Sequence, residues 1–361
     1  MLNEIFKNLK VVELANVLAG PAVGMFFSEL GADVYKIENR RSGGDLTRQW
    51  KLPHEDAASP VSSYYHSVNW NKKVLSLDLF VKEERAELER LIEEADVLIL
   101  NFKKGDAAKF DLEPGRLSQR FPSLVVAELS GFEDGGERVA YDAVLQAETG
   151  WMSINGEPGA SPLKLPLAFI DLLAAHQLKE GILLALLRKA GTGRGAVVRT
   201  SLYRSAIASL ANQASAYLNT GEVPKALGSL HPTIAPYGEL FACEEGEKVL
   251  LAIGTDKQFR DLCSLLEVKE LAENAAYATN VERVRNRRAL YALLEPCFRT
   301  RKAETFLESC HARKIPAGKV RNLDEVFKED SARKMILEQK EADGSISKRV
   351  ATVAFEIDGD G

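Results

Sequence analysis

The chain has 361 residues, a formal net charge of −5 at pH 7, 45% hydrophobic residues and four cysteines. The acidic balance argues against a broad basic surface for nucleic acid. No apolar run is long enough to span a bilayer and the N-terminus lacks a signal-peptide core, so we predict a cytoplasmic protein. The cysteines show no CxxC spacing and no histidines have metal-ligand spacing, so we expect reduced thiols and no metal.

Strand-like and helix-like segments alternate over the first 200 residues. Residues 11–14 and 34–37 read as strands on either side of a short helix, which begins near Gly20 and Pro21 and ends at Gly31. This unit lacks the G-x-G-x-x-G spacing of dinucleotide-binding folds, which argues against a nicotinamide oxidoreductase. The turn before the helix is expected at the carboxyl end of a parallel sheet, where α/β folds bind ligands.

The same alternation continues along the chain. Further strands are predicted at residues 74–79, 96–102, 123–132, 165–170 and 196–202. A helix with apolar residues at helical spacing follows the first of these strands, and a long apolar helix begins after Asp171 and ends at Gly191. The pattern predicts an α/β fold with a mostly parallel sheet covered by helices.

The composition changes near residue 220, where Gly and Pro become frequent. Such a stretch is typical of a linker between domains. We predict a large domain over residues 1–220, to which residues 328–361 return with a closing strand. A smaller α+β domain, together with the linker, is predicted over residues 221–327.

Asp171 is the best single candidate for chemistry. It follows the predicted strand 165–170 and precedes the long apolar helix, which predicts a position at a carboxyl end of the sheet. The helix N-terminus would favour the ionised carboxylate, as a nucleophile near neutral pH requires. Asp is also a preferred N-cap residue, and capping alone explains the spacing.

Basic and aromatic residues near the predicted sheet ends are candidates for ligand contacts. The basic residues are Arg40, Arg41, Lys72, Lys73, Lys103 and Lys104. They could hold the phosphates of a nucleotide-like ligand, or they could be solvated loop residues. Trp50, Trp70 and Tyr141 could stack on an adenine or line an acyl pocket, with core packing as the alternative.

Ordered landmarks from about residue 8 to residue 330 resemble the family III coenzyme A transferases (CaiB/BaiF), which include formyl-CoA transferase. They include LKVVELANVLAGP, GADVYKIE, NWNKKVLSLDL, ADVLILNFKKG, AYDAVLQAETG and the segment around Asp171. Each motif is weak alone, but the ordered set is specific. The resemblance implies a Rossmann-like large domain, a small domain, and two chains interlinked as rings in a homodimer.

The resemblance also implies an activity. It predicts a CoA-transferase that moves CoA from an acyl-CoA thioester to a carboxylic acid. Asp171 falls on the family's catalytic aspartate, whose carboxylate attacks the thioester and later carries CoA as an aspartyl thioester. No tightly bound cofactor is implied, because the CoA thioester is a substrate. The implied partners are the acyl-CoA and carboxylate substrates, without nucleic acid or membrane.

Other positions fall on residues that contact CoA in the family. They are Leu18, Ala19, Asn39, Arg40, Asn69, Trp70, Asn71, Lys72, Asn101, Phe102, Lys103, Lys109, Tyr141 and Asp142. Leu18 stands where the formyl-CoA branch has a glutamine that assists catalysis, and Asn39 replaces an arginine. These departures argue against a formyl or oxalate substrate.

Two other functions stay open at this point. An α-methylacyl-CoA racemase of the same superfamily needs two acid–base groups, and its histidine aligns with Tyr141. Residues 132–150 contain no histidine, and a tyrosine of ordinary pKa is a poor base at neutral pH. A non-catalytic CoA-binding protein is compatible with the missing glutamine.

Overall fold

A computed structural model describes residues 4–103, 105–133, 138–341 and 343–358. Contacts divide the chain into two units. The first comprises Met1–Trp151, Lys164–Glu222 and Lys334–Gly361, and the second comprises Met152–Leu163 and Val223–Arg333. Among the described residues, no helix has both the length and the apolar character that crossing a membrane requires.

The first unit is built on a six-stranded sheet. Its strands are β1 Lys10–Leu14, β2 Asp33–Asn39, β3 Lys73–Leu77, β4 Val97–Leu100, β5 Val125–Ser130 and β6 Val197–Ser201. They lie in the order β3-β2-β1-β4-β5-β6, and each runs parallel to its neighbours. All four residues of β4 are buried, as expected of a strand covered on both faces. The predicted α/β class with a mostly parallel sheet is confirmed.

Helices pack on both faces of this sheet. In chain order, the helices up to residue 220 are α1 Ala19–Glu29, α2 Ser63–His66, α3 Lys82–Glu93, α4 Pro114–Arg120, α5 Asp142–Glu148, α6 Trp151–Ile154, α7 Phe169–Thr192, α8 Leu202–Ala208 and α9 Ala211–Thr220. Most of α6 belongs to the second unit, and α9 buries none of its residues. Val11 and Ile99 face a core that includes α1 and α7, whereas Val12 and Leu98 face a core that includes α3 and α4. This alternation follows from the two-residue period of a strand.

The strand order reverses between β1 and β4. In open α/β sheets, ligands bind in the crevice outside the carboxyl ends of the strands at this switch point. The side chain of Asn101, directly after β4, connects the two strand ends. Its Nδ2 donates to the carbonyl of Asn16 at 2.9 Å, and its Oδ1 accepts the Asn16 N–H at 3.2 Å.

The second unit has its own sheet and core. Its antiparallel strands are β7 Tyr237–Ala242, β8 Lys248–Ala252 and β9 Ala317–Lys319. Its helices are α10 Asp256–Leu265, α11 Lys269–Glu273, α12 Asn280–Arg285, α13 Arg287–Arg299, α14 Ala303–Ala312, α15 Leu323–Val326 and α16 Asp330–Arg333. The Phe241 and Phe298 rings stack in this core with centroids 4.3 Å apart.

Two segments differ from the predictions. Strands β10 Ile336–Lys340 and β11 Ile346–Val350 pair in an antiparallel hairpin of the first unit that forms a separate sheet. The predicted strand over residues 165–170 is wrong, because helix α7 already begins at Phe169. A short apolar run fits a buried helix as well as a strand, and α7 carries apolar residues at both its buried and its exposed positions. Asp171 is therefore the third residue of a helix.

Candidate active site

The N-terminus of α7 is capped by a side chain from another helix. The preceding residue, Ala168, has no side-chain acceptor. Instead, the Asp142 carboxylate accepts the backbone N–H of Ile170 at 2.7 Å and that of Asp171 at 3.4 Å, both at Oδ1. Gln146 Nε2 donates to the other oxygen of Asp142 at 2.5 Å. The capping interpretation of Asp171 is therefore wrong, because Asp142 has that role.

Asp171 is left as a buried carboxyl group, only 7% exposed. Within the part of the chain that the structure describes, no group donates a hydrogen bond to its carboxylate. Burial, and then the negative charge of Asp142, raise the pKa of Asp171 to about 7. The helix N-terminus does not offset this shift, since its N–H groups already serve Asp142. Asp171 therefore ionises much less readily than an ordinary aspartate.

Tyr64 lies within electrostatic range of this carboxyl group. The Tyr64 pKa is raised to about 12 by burial and by the charges of Asp171, Asp142 and Asp45, so its hydroxyl stays protonated and can donate. Trp50 contacts the Tyr64 ring edge to face at 5.1 Å. Trp151 contacts Phe169, the first residue of α7, at 5.3 Å. Such an environment favours an uncharged acyl group over free carboxylate.

Half of the predicted CoA contacts follow the carboxyl ends of neighbouring strands. Leu18 and Ala19 come after β1, Asn39 and Arg40 are at and after the end of β2, and Asn101, Phe102 and Lys103 come after β4. Lys109 lies in a 3₁₀ turn just beyond, Ala107–Phe110. The parallel sheet therefore brings these residues to one edge, at the switch point described above.

The cations at this edge differ in how freely they could meet a phosphate. Arg40 pairs with Glu84 at 2.5 Å, and Lys109 pairs with Asp106 at 2.6 Å. Lys103 is exposed and has no ion pair with any described residue, while its neighbour Lys104 lies outside the described residues. Asn39 uses its side chain to accept the Arg41 N–H at 3.0 Å.

The structure does not bring residues 69–72 to this edge. They precede β3, and because the strands are parallel, residues before a strand lie opposite to residues after one. Lys72 Nζ is enclosed and donates to Glu13 and to Asn69 Oδ1. Trp70 packs against the core, and the Asn71 N–H donates to Gln339. These four residues therefore lie apart from the other predicted CoA contacts, and their own contact with CoA stays a prediction.

The two residues near α5 that are predicted to contact CoA differ in their exposure. Tyr141 precedes the helix and is half exposed, so it stays available to a ligand. The Asp142 carboxylate is buried and already accepts three N–H groups. It holds the start of α7, and its predicted contact with CoA stays a prediction.

Phe80 is a residue of this edge that sequence reasoning missed. It follows β3 by three positions and is 62% exposed. The Phe110 ring contacts it edge to face at 5.1 Å, and the Arg41 guanidinium lies 4.7 Å from its centroid. Arg41 also pairs with Asp78 at 3.1 Å. The available sequence signal was an apolar residue directly after the strand segment LDL. The exposed Phe80 ring offers a surface on which a planar ring could stack.

Comparison with known proteins decides the family. The sequence model of CoA-transferase family III matches residues 6–359. The chain belongs to this family. It is 34% identical over 352 residues to the succinate–glutarate CoA-transferase of Agrobacterium fabrum, with 95% of this chain and 87% of that protein covered. It is 34% identical over 328 residues to the succinyl-CoA:mesaconate CoA-transferase of Haloarcula hispanica, with 89% and 81% covered.

Solved structures of the family share the fold. The crystal structure of a CAIB/BAIF family protein from Brucella suis superposes with a TM-score of 0.83 at 36% identity, covering 98% of this chain and 92% of that one. The predicted family is therefore confirmed, and so is the prediction of a CoA-transferase acting between an acyl-CoA and a carboxylate. Among the described residues, no three His, Cys, Asp or Glu side chains cluster in a way that could hold a metal ion.

Proposed function

We propose that Asp171 is the covalent nucleophile of this CoA-transferase. The observation that carries the proposal is its carboxyl group, buried and without a hydrogen-bond donor among the described residues, with a pKa raised to about 7. A carboxylate held in such surroundings is poorly stabilised by solvation, and it loses its charge when it is acylated. The site thus favours the acylated state over the free carboxylate.

The reaction follows from this preference. The Asp171 carboxylate attacks the thioester carbonyl, the C–S bond breaks, and CoA thiolate leaves a mixed anhydride. The thiolate attacks the aspartyl carbonyl, which releases the donor acid and forms an aspartyl-CoA thioester. The acceptor carboxylate then attacks this thioester, and the returning thiolate takes the acceptor acyl group and frees Asp171. Every step exchanges one acyl bond for another, and no water is consumed.

The carboxyl edge of the sheet supports a place for CoA. The open face of Phe80 beside Arg41 suits the adenine ring, since bases stack on aromatic and guanidinium planes. Exposed Lys103 suits a phosphate. Leu18 and Ala19 follow β1 at the switch point and suit the thioester end.

Dicarboxylic acids are the proposed acceptors, with succinyl-CoA as the donor to test first. The two similar relatives are named for succinate, glutarate and mesaconate. Leu18 supplies an apolar side chain at the turn after β1. The proposal therefore predicts turnover with four- and five-carbon diacids and little with formate.

We propose an interlinked homodimer as the working form. Helix α9 buries none of its residues, although it carries Tyr217 and Leu218, and α7 leaves Leu184 and Leu187 largely exposed. Several large apolar side chains exposed on two helices are typical of an interaction surface. A second copy of the chain is the proposed cover. Interlinking predicts that two differently tagged dimers, mixed when folded, do not exchange subunits, whereas coexpressed chains form mixed dimers.

Mass spectrometry after mixing enzyme, succinyl-CoA and hydroxylamine tests the nucleophile. Hydroxylamine captures an acylated aspartate as its hydroxamate, so the modification is expected at Asp171. Asp171→Asn should give none, and Glu180→Gln, which changes an exposed acid on the same helix, should behave as the wild type. Turnover without any hydroxamate, or exchange of the α-proton with deuterated water in its place, would overturn the proposal in favour of another reaction.

A further inference from the structure

A closed group of four charged side chains lies beneath the turn that precedes α1. Glu13 of β1 accepts from Lys36 of β2 at 3.0 Å and from Lys72 at 2.8 Å, and Lys36 also pairs with Asp45 at 3.0 Å. All four side chains are enclosed. Two acids and two bases leave no net charge. Apolar residues of similar volume stabilise a protein interior as well as buried ion pairs do, so stability alone does not explain this group.

Three of the four side chains bond directly to the backbone around the turn. Lys36 Nζ donates to the carbonyl of Ala15 at 2.7 Å. The Asp45 carboxylate accepts the backbone N–H of Val17 at 3.2 Å. Lys72 Nζ donates at 2.8 Å to the carbonyl of Pro21, in the first turn of α1. These bonds therefore fix the backbone before Val17, the apex of the turn, at Val17 itself and after it.

The apex has a conformation that its residue disfavours. Val17 has a φ of +73°, in the left-handed region where a β-branched side chain is a genuine outlier. Glycine would adopt this φ without strain. Strained backbone of this kind persists only where the surroundings enforce it, and it concentrates at functional sites. Here the surroundings are the Asp45 carboxylate on the Val17 N–H and the Asn101 side chain on Asn16.

Tyr64 connects the group electrostatically with the candidate active site. Burial and the charges of Asp171, Asp142 and Asp45 raise the pKa of its hydroxyl, so Tyr64 lies within electrostatic range of both Asp45 and Asp171. The loop that carries Asp45 is itself fixed, because the Asp45 N–H donates to Glu38 at 3.1 Å and Arg48 pairs with Glu38 at 2.7 Å.

We propose that Glu13, Lys36, Asp45 and Lys72 are positioning residues that hold residues 15–18 in the strained conformation needed for acylation of Asp171. This proposal rests on the proposed function, since it concerns the rate of that acylation. The group does not touch the substrate and acts through the turn. Its loss is expected to affect the chemical step more than the binding of acyl-CoA, because small displacements of a reacting group lower rates steeply.

Single-turnover acylation of Asp171 by succinyl-CoA, measured by rapid quenching and mass spectrometry, tests the proposal. Asp45→Ala is expected to slow acylation by about tenfold or more while the dissociation constant of acyl-CoA stays nearly constant. Val17→Gly in that background should restore part of the rate, because glycine reaches the required φ without an anchor. A merely structural role of Asp45 would give no such rescue, which a double-mutant cycle quantifies.

Controls separate the possible failures. Asp33→Asn breaks an ion pair with Lys73 at the start of β2, away from the turn, and should leave acylation unchanged. Asp45→Asn keeps the size of the side chain and one acceptor oxygen but loses the charge that pairs with Lys36, so it should slow acylation less than Asp45→Ala does. A wild-type acylation rate in Asp45→Ala (or, if that variant does not fold, in Asp45→Asn), or no rescue by Val17→Gly, would overturn the positioning role alone. No acylation of Asp171 in the wild type would overturn the proposed nucleophile.

Discussion

The Asp142 carboxylate accepts the backbone N–H of Asp171 at 3.4 Å while its negative charge opposes ionisation of the Asp171 side chain. Asp142 therefore caps the N-terminus of helix α7 and also raises the pKa of Asp171, the third residue of that helix. A helix N-terminus ordinarily favours a carboxylate. Here that advantage goes to Asp142, and Asp171 is left in surroundings that disfavour its charge.

Asp171→Asn should stabilise the protein above neutral pH. The pKa of Asp171 is raised from 3.8 to about 7 in the folded state, so its contribution to stability is complete below pH 3.8 and is lost as pH rises through about 7. Ionising the buried group costs up to about 4 kcal/mol. The uncharged amide avoids that cost. We expect a higher midpoint of thermal unfolding for Asp171→Asn at pH 8.

The same comparison near pH 4 is the control for this effect. There both proteins carry an uncharged side chain at position 171, so the two unfolding midpoints should converge. Glu180→Gln, on the exposed face of α7, should change neither midpoint appreciably. A difference between wild type and Asp171→Asn that does not vary with pH would contradict the raised pKa.

The acylation rate should fall on the acid side of pH 7. Attack requires the ionised carboxylate, so kcat/KM for acyl-CoA should decrease tenfold per pH unit below the pKa of Asp171. Asp142→Asn keeps an oxygen for the Ile170 N–H but removes the negative charge. The acid limb should then move to lower pH without disappearing, since burial also raises this pKa. An unmoved limb would argue against the coupling of Asp142 and Asp171.

Phe80→Ala should weaken the binding of CoA substrates. Stacking of a base on an aromatic ring contributes about 1–3 kcal/mol, so KM should rise roughly tenfold with kcat nearly unchanged. An acyl-pantetheine substrate, which lacks the adenine, should not respond to the substitution. Phe355→Ala removes another exposed ring and should have no effect. Equal losses with acyl-CoA and acyl-pantetheine would exclude an adenine site on Phe80.

Leu187→Glu and Leu218→Glu should disrupt the proposed dimer. Both side chains are more than 70% exposed in the single chain, and burial of a carboxylate in an apolar interface without a partner is costly. Light scattering after size exclusion should give monomers or aggregates for these variants. Leu323→Glu changes an equally exposed leucine of the second unit and should leave the dimer intact. Dimers in all three variants would place the interface elsewhere.

The strands of the large sheet could be predicted because the signal is local. Residues 11–14, 34–37 and 96–102 are mostly apolar runs, as is typical of parallel strands covered on both faces, although Glu13 and Lys36 interrupt the first two. The same reasoning failed at residues 165–170, where the run belongs to a helix that is apolar on several sides. Its start is set by Asp142, 28 positions away from Ile170, and no local pattern announces such a partner.

The charged side chains of the candidate site were the hardest to interpret. Lys72 reads as a phosphate contact or as a solvated loop residue, yet it is enclosed and pairs with Glu13, 59 positions earlier. Lys36 interrupts an apolar strand and is enclosed by the same acid. A sequence shows that such residues are polar but not which of them find a buried partner, since the pairs form only when the strands are side by side.

The burial of Asp171 also bears on the form in which the protein rests between turnovers. The free carboxyl group of Asp171 is either ionised, which its buried surroundings disfavour, or protonated and therefore unable to attack a thioester. An aspartyl-CoA thioester at this position bears neither the charge nor the proton. Protein purified from cells rich in acyl-CoA should therefore contain a fraction of chains in which Asp171 already carries CoA as a thioester. Its first catalytic cycle would then begin with the acceptor acid and need no donor.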